Sequence, residues 1–298
     1  MLASVSREIA VKFGVVLPTF GMSTDRETVL ETALAAMELG YDSIWCSDHL
    51  ALPLADAEPF GSIFEPLSTL AYLAGITRGI KLGISSLVLP QRNPVEVARQ
   101  LAAIDVLSEG RTILAAGIGW SRGEYTNLGY DYGNRAERME EAVRVLKLLW
   151  SSRTPATFHG KYYHFDELVF APLPLQFGGP KLWIGGNSEA AVQRAARLGD
   201  GWHPTLSNPQ EMIKLLAKIC HFLEDRDFTV CQRLSLAFGP ADPEKVPLQG
   251  SPEQIIRRLR AFQGAGMDDC ILYFTNESLA GRIDDMHLFI TQIAPELE

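Results

Sequence analysis

The segment 112–150, TILAAGIGWSRGEYTNLGYDYGNRAERMEEAVRVLKLLW, decides the fold. It opens on an unbroken apolar run, Thr112 to Gly117, that reads as a strand buried on both faces. It closes on Met139, Ala142, Val143, Leu146, Leu149 and Trp150, which fall on one stripe of a helix. A buried strand followed by an amphipathic helix is the repeating unit of a parallel sheet with crossover helices.

Outward from this segment the same alternation runs through the chain, giving eight strand-like runs. The others are Val11 to Leu17, Ser43 to Ser47, Lys81 to Val88, Lys181 to Gly185, Gly201 to His203, Leu234 to Phe238 and Cys270 to Phe274. Helical spacing returns in Leu67, Leu70, Ala71 and Ala74, in Met212, Leu215, Leu216, Ile219 and Leu223, and in Ile255, Ile256, Leu259 and Phe262. Eight such units build a closed barrel or a long doubly wound sheet, and no GxGxxG turn follows the first strand to favour the open sheet. The expected fold class is therefore α/β, a single (β/α)8 TIM barrel over 11–298 after an N-terminal extension, 1–10. Two stretches break the rhythm and read as loop insertions: Pro155 to Gly179, with strand-like pieces around Phe158 to His164, and the Pro- and Gly-rich Gly239 to Gly250.

Bulk properties narrow the function. The 298 residues are 47% hydrophobic and 21% charged, ordinary for a chain that buries a large core. Thirty-six acidic against 27 basic residues give a net charge of −9, which argues against a nucleic-acid partner. The opening MLASVSREIAVKF lacks the pattern of a secretory leader, and no run approaches the roughly 18 apolar residues of a membrane span, so a cytoplasmic protein without a membrane role is expected. Cys46, Cys220, Cys231 and Cys270 are too scattered for a zinc site or a disulfide framework and read as buried free thiols.

In such barrels the chemistry gathers where the strands end. The residues leaving the strands here are Pro18-Thr19-Phe20-Gly21, Ser47-Asp48-His49, Gly117-Ile118-Gly119-Trp120, Gly185-Gly186-Asn187-Ser188 and Trp202-His203-Pro204, with Ser85-Ser86 inside the third run. Lys12, Lys81 and Lys181 all stand at strand beginnings, so no strand-end amine is available for a Schiff base. His49, His203, Asp48 and Asp200 lack the close spacing of a metal-hydrolase site. What remains is an aromatic mouth of Phe20, Trp120 and Trp202, suited to a large planar cofactor. Gly185 to Ser188, opening the helical segment Glu189 to Leu198, form either a phosphate cradle or an ordinary helix cap. His49 is the candidate general acid or base, against the alternative of a loop hydrogen bond. Glu65 and Glu124 are expected to be solvated, Glu65 at a helix start, and Arg122 is either a partner for an anionic substrate or cofactor tail or an exposed arginine.

These strand ends resemble the luciferase-like monooxygenase superfamily and, within it, the coenzyme F-420-dependent oxidoreductases. The resemblance runs from about Lys12 to Ile293. It is carried by Gly40-Tyr41-Asp42-Ser43-Ile44-Trp45 with Ser47-Asp48-His49, Leu89-Pro90-Gln91-Arg92-Asn93-Pro94, Gly110-Arg111 with Gly117 to Trp120, and Trp183 to Ser188 with Gly199-Asp200-Gly201-Trp202. It implies a bacterial luciferase-like barrel in which His49 handles a proton beside the reacting ring and Asp48 stands next to it. Ser85-Ser86 would be a bulge with a non-proline cis peptide backing the ring. Gly117, Ile118, Gly119 and Trp120 would line the ring or its ribityl chain, and Gly185, Gly186, Asn187 and Ser188 would take the phosphate. The implied cofactor is coenzyme F-420, with FMN as alternative. Leu50-Ala51-Leu52-Pro53 and Trp120 depart from the sugar-phosphate-oxidising relatives, so no such substrate is expected.

The implied activity is hydride transfer between F-420 and a small organic substrate, with the loop from Asp48 to Phe64 and the insertion after Trp150 excluding water. The rivals are a reduced-FMN-dependent monooxygenase, a non-catalytic flavin-binding protein, and a phosphate-binding barrel lyase or isomerase. The resemblance further implies a homodimer, and a flavin or deazaflavin reductase could supply the cofactor.

Overall fold

The computed structural model describes residues 10–21, 24–223, 226–240 and 246–297. Most of the expected N-terminal extension, residues 1–9, and residues 241–245 of the second insertion lie outside the described residues. The strands are β1 (Lys12–Val16), β2 (Ser43–Cys46), β3 (Lys81–Val88), β4 (Thr112–Gly117), β5 (Ala156–His159), β6 (His164–Leu168), β7 (Lys181–Gly185), β8 (Gly201–His203), β9 (Thr229–Phe238), β10 (Leu248–Gly250) and β11 (Asp269–Phe274). The helices are α1 (Arg26–Glu38), α2 (Pro66–Ile76), α3 (Pro94–Leu107), α4 (Arg122–Asn127), α5 (Arg135–Ser151), α6 (Glu189–Leu198), α7 (Pro209–Leu216), α8 (Pro252–Gly264) and α9 (Leu279–Gln292).

Eight strands close into a parallel barrel in the order β1, β2, β3, β4, β7, β8, β9, β11 and back to β1. The eight-unit reading of the sequence is therefore what the chain folds into. Closure between β8 and β9 rests on two short register pairs, Gly201 with Thr229 and Trp202 with Val230. Leu236 of β9 pairs with Phe274 of β11 on one edge and with Leu248 of β10 on the other. Because β8 is only three residues long, β10 covers the edge of β9 that β8 leaves open, which satisfies backbone groups that would otherwise be unpaired.

Two apolar layers hold the barrel. Between strands and helices lies one continuous core, with Leu70, Leu73, Val143, Leu146 and Phe262 buried in it as the helical stripes require. Inside the barrel a smaller cluster holds Val16, Trp45, Ile113, Ala115, Trp183, Cys231 and Ile271. Trp45 stacks on Trp183 at 5.4 Å and on the His203 ring at 5.8 Å. A Cβ on Gly83 would stand 2.2 Å from the Trp45 ring, so the neighbouring strand must be bare there for the indole to lie across the barrel. Helix starts follow their caps: Asn93 ahead of Pro94 for α3, and a reciprocal Ser251–Gln254 capping box ahead of α8.

Three expectations change. β9 begins at Thr229, five residues before the apolar run, because the polar Gln232 and Arg233 interrupt the pattern from within a strand. The stripe from Met212 to Leu223 is two elements: α7 stops at Leu216, and i to i−3 bonds carry the chain into a tight turn at Cys220–Phe222. The strand-like pieces around Phe158 to His164 belong, as read, to the two strands of the β5–β6 hairpin. Cys46, Cys231 and Cys270 are buried free thiols as read, whereas Cys220 is exposed. Among the described residues no helix is long and apolar enough to cross a membrane.

Candidate active site

A cleft of about 490 Å³ opens at the carboxyl ends of β2, β3, β4, β7, β8 and β9. It gathers Asp48, His49, Ser85, Ser86, Gly117, Ile118, Gly119, Trp120, Gly185, Gly186 and Asn187, eleven residues singled out in the sequence. Ser188 is not among its lining residues. It is exposed and caps α6, its hydroxyl accepting from the Ala191 N–H. Ser47 and His203, read as strand-end residues in the sequence, and Phe60, Val88, Thr205 and Arg233, not singled out there as site residues, complete the wall.

β3 carries a bulge between Ile84 and Leu87, and the Ser85–Ser86 peptide within it is cis. Across the barrel the Gly185 to Asn187 turn is pinned to β8. Trp202 Nε1 donates to the Gly186 carbonyl at 2.8 Å, and Asn187 exchanges bonds with the Thr205 N–H and hydroxyl at 2.8 and 3.0 Å. Gly186 has φ +125°, a conformation that side chains with a Cβ rarely adopt. Ser188 satisfies the Ala191 amide with its hydroxyl and the Val192 amide with its carbonyl at the start of α6.

His49 is buried, and donor inventory fixes its tautomer. Its Nε2 lies 3.2 Å from Trp120 Nε1, and an indole N–H can only donate, so Nε2 accepts. Its Nδ1 lies 3.0 Å from Glu124 Oε2, so Nδ1–H donates to that carboxylate. Glu124 is 0% exposed, contrary to the expectation of a solvated loop residue. Burial alone would raise its pKa, but the bonds from His49 and from the Leu50 and Ala51 amides outweigh it and hold the carboxyl down at about 2. Gln91 Nε2 adds a fourth donor at 3.2 Å. Sequence reading missed Glu124 because its partner lies 75 residues away. The one available signal was its place three residues after Ser121, whose hydroxyl caps α4 and fixes the helix that carries Glu124.

Asp48 lines the cleft, yet both its oxygens are engaged by protein donors. Oδ2 accepts from the Val88 N–H at 2.8 Å and Oδ1 from Arg92 at 2.6 Å. Burial pushes its carboxyl up, against the pull of Arg92 and Val88. It therefore clamps β2 to the end of β3 beside His49. Glu65 caps α2 as read and also meets Arg92. Arg122 is exposed and lies over the Tyr132 ring, outside the cleft. No residue of the 155–179 insertion lines the cleft, whereas Phe60 brings the loop after β2 into it.

On the floor, His203 is buried with Nδ1 2.8 Å from the Cys231 carbonyl, so that nitrogen carries the proton, and Nε2 accepts from the Ser85 hydroxyl at 2.7 Å. Burial, with the Arg233 charge, lowers its pKa to about 3, so the ring is neutral in ordinary buffers.

The sequence matches the luciferase-like monooxygenase family over residues 11–246. It is 36% identical to the FMNH(2)-dependent dimethylsulfone monooxygenase of Pseudomonas putida over 45% of this chain and 38% of that protein. It is 32% identical to the F420-dependent hydroxymycolic acid dehydrogenase of Mycobacterium tuberculosis (strain ATCC 25618 / H37Rv) over 63% of this chain and 51% of that protein. The matched region thus spans about half or less of the length of these curated relatives. An F420-dependent secondary alcohol dehydrogenase solved with an F420-acetone adduct shares the fold at a TM-score of 0.83, with 18% identity, over 97% of this chain and 100% of that one. With the family match extending from the first strand to beyond the ninth, and the barrel closed around its strand-end cleft, the chain belongs to the luciferase-like monooxygenase family.

Proposed function

We propose that the chain is an oxidoreductase that holds coenzyme F-420 in the strand-end cleft and transfers a hydride between it and a small organic substrate. The observation that carries this reading is the His49–Glu124 pair at the cleft wall, a neutral imidazole with one nitrogen anchored on an ionised carboxylate and the other turned to Trp120. The cleft suits the cofactor. Its volume falls in the range of sites for drug-sized ligands, the apolar side chains of Val88, Ile118 and Trp120 line it together with the cis Ser85–Ser86 peptide, and the Gly186–Asn187 turn opens on a helix start.

When bound, the deazaflavin supplies or accepts the hydride. The chain's own residues do the rest. Trp120 is 51% exposed, so its indole can be displaced from His49 Nε2, freeing a lone pair to take a proton from a substrate hydroxyl. The imidazolium that results is stabilised by Glu124 at 3.0 Å, and in the reverse direction it returns the proton. Phe60 and the loop carrying it restrict water at the mouth. His49→Ala should lower kcat by about 10²-fold or more with cofactor affinity nearly unchanged. Equal activity in that variant would remove His49 from the mechanism.

The FMN-dependent relatives favour a second reading, a reduced-FMN monooxygenase on the same cleft. Fluorescence titration with oxidised F-420 and with FMN at matched concentrations separates the two. Tight saturable binding of the deazaflavin with weak FMN binding supports hydride transfer. The opposite preference overturns it in favour of oxygen-dependent chemistry.

A further inference from the structure

The cleft floor holds a positive charge without a carboxylate partner among the described residues. Arg233 sits on β9 in register with Ile271 of β11, whose side chain lies in the barrel's inner cluster. Its Nη1 donates to the Ser85 carbonyl at 2.8 Å and reaches the Ser85 hydroxyl at 3.3 Å, which fixes the guanidinium against the bulge and spends one of its three nitrogens. Its neighbour His203 is neutral and cannot balance it. Burial lowers the Arg233 pKa to about 10, and the one acidic group acting on it is the Tyr273 phenol.

A second arginine repeats the pattern from another element. Arg282, in α9, is 3% exposed, and its Nε and Nη1 have no hydrogen-bond partner. Tyr273 is again the acidic group within electrostatic reach. The Tyr273 ring stacks on Phe20 at 5.3 Å, Phe20 lies 4.7 Å from Phe60, and Phe60 lies 4.9 Å from His49. An aromatic arc therefore runs from His49 to Tyr273 on β11, the strand paired with β9, which carries Arg233. A buried guanidinium with unmet N–H donors, as Arg282 has, is costly unless an anion completes it. A planar fork is also the group best shaped to hold a carboxylate.

We propose that Arg233 and Arg282, together with the Tyr273 hydroxyl, form an oxyanion subsite, and that the substrate is a small organic acid bound through its carboxylate. The apolar arc then covers its carbon chain, and its reacting carbon faces His49. The substrate assignment rests on the redox reading above, but the subsite belongs to the cofactor-free chain and is tested without a cofactor.

The experiment is calorimetric and thermal-shift titration of the cofactor-free protein with butyrate and with butyramide, its neutral isostere, at fixed ionic strength. Saturable butyrate binding at least tenfold tighter than butyramide, weakened tenfold or more by Arg233→Gln and by Arg282→Gln, supports the subsite. Indistinguishable binding of acid and amide overturns it, as does full butyrate affinity in both variants. Should Arg233→Gln fail to fold, Arg282→Gln and Tyr273→Phe carry the same comparison. F-420 and FMN titrations of the same variants keep the two readings apart. Butyrate binding by a protein that takes up neither chromophore would sink the redox reading and leave the subsite standing. Chromophore binding that falls in Arg233→Gln, with no butyrate binding by the wild type, overturns the subsite and gives the arginine to the cofactor.

Discussion

Both ring nitrogens of His49 are committed, Nδ1–H to Glu124 and Nε2 to Trp120, and the two bonds have opposite consequences. The first is buried and fixed, the second half-exposed and breakable. Glu124 therefore sets the histidine's orientation and Trp120 controls access to its lone pair. Glu124→Gln tests the first. Gln presents an NH2 where His49 or a backbone amide needs an acceptor, so at pH 7 the variant should lose about 2–3 kcal/mol by urea denaturation. The sign of the pH dependence follows from the depressed carboxyl. A group at about 2 when folded, against 4.5 ordinarily, contributes its full stability above pH 4.5 and loses it as pH falls through 2. The gap between wild type and variant should narrow between pH 5 and pH 3, and a constant gap would contradict the depressed Glu124 carboxyl. That pair was invisible in the sequence because no local spacing joins residues 49 and 124. Asp48 and His49 were legible because a polar pair directly after an apolar run marks a strand end whatever surrounds it.

Among the elements, those whose apolar pattern is uninterrupted were readable to within a residue or two, as β3, β4 and β7 show. β9 was cut short because its polar positions find their partners in the tertiary structure. Gln232 Nε2 donates to the Leu206 carbonyl, and Arg233 reaches the β3 bulge on the far side of the barrel. Those partners are absent from any local window, and the same blindness hid Arg233 from the candidate site. The β5–β6 hairpin shows how an insertion is attached. Glu141 on α5 accepts the amides of Lys161, Tyr162 and Tyr163 at 2.9, 2.8 and 2.7 Å, so one buried carboxylate holds the whole turn. Glu141→Ala leaves those donors without an acceptor, at a cost of about 1–3 kcal/mol. Limited proteolysis should then cut near Lys161 several times faster than in the wild type, with chromophore titrations unchanged. A parallel loss of cofactor binding would mean that the hairpin supports the cleft after all.

Across the whole barrel, chemistry and stability occupy opposite poles, as the parallel strands dictate. The carboxyl ends hold His49, Arg233 and the Gly186 turn, while the amino ends begin with Lys12, Lys81 and Asp269. Asp269 is the costly member of that lower pole. Burial raises its carboxyl to about 6, with Asp268 and Asp42 pushing the same way and Lys12 and Lys81 opposing. A raised carboxyl binds its proton more tightly folded than unfolded, so stability is greatest below pH 3.8 for this group and falls as pH rises to 6. Asp269→Asn removes the penalty. The variant should be more stable than the wild type by on the order of 1–2 kcal/mol at pH 8 once solvent screening is allowed for. The advantage should shrink steadily from pH 6 to pH 4, and thermal melts across that range read it directly. Because the substitution lies at the pole away from the cleft, F-420 or FMN affinity and the response to His49→Ala should be the same in both backgrounds. A stability gain that came with altered cofactor binding would show that the two poles are coupled through the barrel interior, where Trp45, Trp183 and His203 stack on one another.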